Sequence, residues 1–77
     1  MEWKLNRIKE LLQYASPIAY VFDKDLQHID TIEFKNSMQV RGFLDKKNIK
    51  EVIAFEPKWH LVDLLMANGN SLHFEWI

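Results

Sequence analysis

The groups best suited to chemistry are three histidines, His28, His60 and His73, with carboxylates near two of them. A helix opening at Pro57 would put Glu56, His60 and Asp63 at i, i+4 and i+7, on one side. A strand at the end of the chain would put His73 and Glu75 on one face. Converging, these groups would form a two-histidine carboxylate site for a transition metal. The spacing is generic, however, and no His-x-x-x-His pair occurs. Polar residues making surface hydrogen bonds explain the same pattern. Nucleophilic chemistry has less to work with. Ser16, Ser37, Ser71 and Thr31 fall at expected cap, turn or strand positions. There is no Gly-x-Ser-x-Gly, phosphate-binding glycine loop or dinucleotide fingerprint. Asp23 and Asp25 suit a turn better than an acid/base pair. The chain therefore reads as non-enzymatic, with no catalytic residue, cofactor or resident metal.

Binding chemistry is better represented. The chain has three Trp, two Tyr and five Phe in 77 residues. Trp and Tyr are enriched at interface hot spots. Trp3 lies off the Leu5/Ile8/Leu12 stripe, and Trp76 falls where little chain remains to cover it. The total charge is −1, but it is unevenly placed. Residues 17–34 hold Lys24 against Asp23, Asp25, Asp30 and Glu33, a net of −3. Residues 35–58 hold Lys35, Arg41, Lys46, Lys47, Lys50 and Lys58 against Asp45, Glu51 and Glu56, a net of +3. The acidic stretch suits a basic partner, with Asp23, Asp25, Asp30 and Glu33 steering and Trp3 or Trp76 anchoring. The basic stretch, through Arg41, Lys46, Lys47 and Lys50, could follow a phosphate backbone, with Phe43 and Trp59 as stacking rings. A solvated face, or lysines blunting an edge strand, would look the same.

The elements that position these residues are read from periodicity. Leu5, Ile8, Leu12 and Ala15 make one face of a helix over residues 2–15, stopped by Ser16-Pro17. Residues 18–23 read as a central or covered strand, apolar on both faces. Asp23-Lys24-Asp25 turns the chain, and residues 28–34 return as a strand that needs a bulge or register shift. Residues 37–48 fit either a strand or a helix. The strand is favoured, because Met38, Val40, Gly42 and Leu44 alternate and Gly42 costs a helix about 1 kcal/mol. Residues 50–56 follow as a strand. Pro57 then opens a second helix, with Leu61, Leu64, Leu65 and Asn68 on one face and Asn68-Gly69 as its stop. Leu72, Phe74 and Trp76 alternate with His73, Glu75 and Ile77 in the last strand. The expected order is α-β-β-(β or α)-β-α-β. It makes an α+β domain over residues 1–77, with a small antiparallel sheet of four to five strands, an N-terminal helix and a second helix before the last strand.

The segment Ser16-Pro17-Ile18-Ala19-Tyr20-Val21-Phe22-Asp23-Lys24-Asp25, following a helix, resembles the first hairpin of a PAS sensor domain, and the likeness runs over residues 16–34. PAS domains are longer and end in a three-strand meander, for which this chain lacks room. The resemblance therefore implies no ligand residue and no sensory role here.

The absence of cysteine excludes a disulfide scaffold and a thiolate site, and suits a reducing, cytoplasmic compartment. The amphipathic start does not read as a signal peptide, and no apolar run reaches membrane-spanning length. Eight Lys against two Arg, with seven Ile and five Asn, favour AT-rich codons, as in a low-GC bacterium or its phage. Together these features point to a small protein-binding regulator or inhibitor acting by stoichiometric surface occlusion. A phage-encoded anti-defence or anti-CRISPR protein is one such protein. The alternatives are a nucleic-acid-binding module and a self-assembling structural protein, such as a homodimer, pairing through an edge strand that includes Trp76.

Overall fold

The computed structural model describes residues 2–77. Helix α1 (Glu2–Ala15) buries Ile8 and Leu12 completely, one turn apart. It ends where expected: Ser16 swings to φ 51° and buried Pro17 follows. Strands β1 (Ile18–Phe22) and β2 (His28–Glu33) form an antiparallel hairpin, with the anticipated irregularity between Val21 and Phe22. Its turn is built by Asp23, whose Oδ1 accepts from the backbone N–H of Asp25 at 2.9 Å and of Gln27 at 3.0 Å.

Residues 37–48 do not form the favoured strand. Helix α2 (Ser37–Asp45) lies there, capped by Asn36, whose side chain accepts from Gln39 N–H at 3.0 Å. Val40 and Leu44 are buried four residues apart, whereas Met38, which a strand would have aligned with them, is 83% exposed. The two helices are tied by Lys9 Nζ on Asp45 Oδ1 at 3.0 Å. Strand β3 (Ile49–Glu56) follows.

The second correction concerns residues 57–68. Pro57 opens only a 3-10 turn (Pro57–Trp59), ended by His60 at φ 54°. Strand β4 (Leu61–Met66) then buries Val62, Leu64 and Met66 at period two. Gly69 has a positive φ of 93°, but in a hairpin loop and not at a helix end. Met66 N–H donates to Asn70 O at 2.8 Å to close that loop. Strand β5 (Ser71–Glu75) buries Leu72 and Phe74 as its alternation predicts.

The described residues thus make an α+β fold, with two α-helices and a five-stranded antiparallel sheet in the order β2-β1-β5-β4-β3. The second helix precedes the last strand, but β3 and β4 lie between them, where it was expected immediately before that strand. Two further expectations change. There is room for a closing three-strand meander, formed by β3, β4 and β5. The strand leading to Trp76 is no edge: β5 is paired on both sides, with β1 and β4, and the free edges belong to β2 and β3.

Both helices cover one face of the sheet. Ile8, Leu12, Val40 and Leu44 meet Ala19, Val62, Leu64, Met66, Leu72 and Phe74 in a single core. Alternation along each strand sends the remaining residues to the other face, which neither helix covers. No helix among the described residues is long and apolar enough to cross a membrane.

Candidate functional site

The uncovered sheet face can be reconstructed from the strand register. Ile18 is paired with Glu33 on one side and Glu75 on the other, Glu75 with Leu61, and Leu61 with Glu56. One row across all five strands therefore reads Glu33, Ile18, Glu75, Leu61, Glu56. The next row reads Thr31, Tyr20, His73, Asp63, Ala54. The third brings together His28, Phe22, Ser71, Leu65 and Glu51. These registered positions carry the carboxylates of Glu33, Glu51, Glu56, Asp63 and Glu75 and no Lys or Arg. Apolar residues stand between them, and exposed Ile53 and Leu26 border a hollow over Phe22, Asp63, Ser71 and His73.

His73 organises the middle of this face. Its Nδ1 lies 2.5 Å from Asp63 Oδ1 and its Nε2 lies 3.0 Å from Glu75 Oε1. Partial burial disfavours the imidazolium, but the Glu75 and Asp63 carboxylates outweigh it and raise the His73 pKa above the ordinary 6.5. Tyr20 lies tilted against both His73 and His28, with ring centroids 6.0 and 6.1 Å apart, and Phe22 meets His28 at 5.6 Å. His28 Nε2 is also 2.7 Å from Thr31 Oγ1.

The histidine–carboxylate set does not converge on a metal site. His60 caps the 3-10 turn and donates from Nδ1 to the Trp76 carbonyl at 3.1 Å, while Asp63 and Glu75 are engaged by His73. Among the described residues no group of three or more His, Asp or Glu side chains is placed to hold a metal ion.

The expected partner-binding residues are dispersed. Asp23 is committed to its turn, and Asp25 is exposed beside it. Asp30 opposes Val21, and so faces the helix side, where its Oδ1 accepts from Thr31 N–H at 2.8 Å. Glu33 alone of the four lies in the registered rows of the uncovered face. Trp3 is 69% exposed, beside Glu51 and Val52 at the β3 edge. That edge is four strand spacings, about 19 Å, from β2. Trp76 is half-buried against the core and stacked on His60, with centroids 5.6 Å apart and rings 14° from parallel.

The basic residues also divide. Arg41 Nε is 3.4 Å from Asp45 Oδ2 on the same helix, and Lys50 sits at an irregularity in β3. Lys46 and Lys47 border a cleft of about 560 Å³ on the helix side, opposite Asp30, and Lys47 Nζ lies 4.7 Å from the Phe43 ring centre. Phe43 sets its ring against Phe34 on the helix side, with centroids 5.2 Å apart, whereas Trp59 is 73% exposed in the 3-10 turn after β3. They do not make one stacking surface.

Comparison with protein families, curated proteins and solved structures finds no match to this chain. Sequence reasoning missed Ile18 and Leu61, and it gave Glu56 and Glu75 to a metal site and Trp59 to a nucleic-acid surface, not to this face. The signal was present in the last strand, where Glu75 alternates with buried Phe74 and half-buried Trp76. For Leu61 and Asp63 it was hidden by the helical reading of their segment.

Proposed function

We propose that this protein is a small non-enzymatic regulator or inhibitor that binds another protein by laying the uncovered face of its sheet on a basic and apolar surface. One observation carries the reading: the row Glu33, Ile18, Glu75, Leu61, Glu56, which alternates carboxylates with aliphatic side chains across every strand. An antiparallel sheet can expose one face to water, and then that face is usually polar. Here Ile18, Tyr20, Phe22, Leu61 and Leu65 are only half-buried on it. Carboxylates steer a basic partner into register, and the apolar residues supply the area that leaves water. The mechanism is stoichiometric occlusion. A phage-encoded anti-defence or anti-CRISPR protein would suit it, because the nucleic-acid groove of a defence enzyme is basic and can be filled by such a face.

The test compares charge reversals on the two sides of the sheet. Glu33→Lys combined with Glu51→Lys should abolish partner capture, while Lys46→Glu combined with Lys47→Glu should leave it intact. Both pairs are exposed, so circular dichroism should be unchanged. Full capture by the Glu33/Glu51 variant would refute the docking face. The nucleic-acid reading predicts the reverse pattern. It also predicts a loss of affinity by orders of magnitude between about 50 and 200 mM salt.

A further inference from the structure

At one end of the uncovered face lies a cleft of about 520 Å³, lined by Ile18, Trp59, His60, Glu75 and Trp76 among others. Ile18 and Glu75 also belong to the acidic row, so cleft and face are continuous. Resting on the docking reading above, we propose that this cleft receives the guanidinium of an arginine side chain presented by the partner protein.

The walls are aromatic and held in place. Trp59 is 73% exposed, yet it sits in the 3-10 turn that Pro57 opens. The turn is closed by His60 N–H on Pro57 O at 3.1 Å. His60 itself occupies the left-handed region at φ 54°, a conformation a non-glycine residue adopts at a cost. That conformation lets its ring lie parallel to Trp76 while Nδ1 donates to the Trp76 carbonyl. A carbonyl only accepts, so Nδ1 carries a hydrogen, and in the neutral ring Nε2 accepts from a donor. The opening is therefore framed by two indoles, an imidazole acceptor and a carboxylate. That frame holds no Lys or Arg.

A cation is the natural occupant, because indole faces attract positive charge and the Glu75 carboxylate adds to it. Glu75 Oε1 meets His73. Glu75 Oε2 has no protein partner among the described residues, so it can accept from a ligand. Arginine is favoured over a quaternary ammonium, which has no N–H to give that oxygen. It is favoured over lysine because a planar, weakly hydrated guanidinium stacks on indole and donates in a fork.

The probe is N-acetyl-arginine methylamide, titrated into the labelled full chain while the indole N–H signals are followed by NMR. Saturable shifts at Trp59 and Trp76, half-complete on the order of 1–10 mM as suits a ligand of this size, are expected. The neutral isostere N-acetyl-citrulline methylamide should bind at least tenfold more weakly. Trp59→Ala and Glu75→Gln should each weaken arginine binding at least fivefold. No saturable shift up to about 100 mM, or an equal response to citrulline, overturns the assignment. Because Glu75 also holds His73, Trp59→Ala supplies an independent check on a side chain outside that contact. The probe reaches the cleft without a partner. A missing arginine response thus removes the cleft and leaves the docking face standing. A normal response, beside a Glu33/Glu51 reversal that spares partner capture, keeps the cleft and removes the docking face.

Discussion

His73 and Asp45 couple the fold to pH in opposite directions. The His73 pKa is raised in the folded chain, because the Glu75 and Asp63 carboxylates overcome partial burial. A raised value means that its stabilisation is complete below the unfolded value of about 6.5 and is lost as pH rises through the folded one. The urea midpoint of the wild type should fall across that interval, and the fall should be absent in His73→Gln. A parallel fall in both chains would show that the imidazolium contributes nothing. Asp45 behaves inversely. The Lys9 ammonium holds its carboxyl below the ordinary 3.8, with Arg41 assisting, against some desolvation. Its contribution is present above 3.8 and disappears as pH falls through the depressed folded value. Asp45→Asn should therefore flatten the acid limb of the stability curve, and high salt should shrink the difference, since the pair is exposed.

The two glycines separate helix from hairpin. Nothing lies within 4 Å of a Cβ added at Gly42, and α2 continues through it, so Gly42→Ala should stabilise by about 0.5–1 kcal/mol. Gly69 has φ +93°, and Gly69→Ala should cost 1 kcal/mol or more. Thermal melts of the two variants should shift in opposite senses. These positions also explain what was legible in the sequence. The first helix and the last strand were readable because one period fitted each, the first hairpin because an apolar run met the Asp23-Lys24-Asp25 turn, and the strand over residues 50–56 from its β-branched and aromatic content. The segment after Pro57 satisfied two periods at once. Leu61, Leu64 and Leu65 fit a helix, while Val62, Leu64 and Met66 fit a strand, and pairing with β3 and β5 decided for the strand. A local signal did exist: Asn68-Gly69 between apolar alternations is a strong hairpin cue. In residues 37–48 the glycine penalty was outweighed by the Asn36 cap and by burying Val40 and Leu44 beside α1. The acidic row escaped because its members come from five segments and meet only through strand register.

For the whole molecule, a sheet covered on one side must keep its core in one layer. Phe74 is fully buried on the central strand. Phe74→Ala should cost about 3–5 kcal/mol. That is a large part of the roughly 5–15 kcal/mol available to a native domain, and a chain this small sits toward the low end. The variant should unfold at much lower urea or fail to fold, whereas Trp59→Ala, on the surface, should shift the midpoint by no more than about 0.5 kcal/mol. The free edges are not long flat templates. β2 opposes β1 across an irregularity and carries Asp30 and Glu33, while β3 has two register shifts and Lys50. Edges of that kind disfavour strand-to-strand association.

The central place of β5 also bears on how the chain is made. The β1–β2 and β3–β4 hairpins can each form from neighbouring residues, but they touch the same sheet only through residues 71–75. During synthesis the ribosome delivers those residues after both hairpins. Until they clear the exit tunnel, two partial sheets each show an unpaired edge, on β1 and on β4. Assembly of this fold is therefore a late event, gated by one short strand, and a nascent chain arrested before Ser71 should remain protease-sensitive along its whole length.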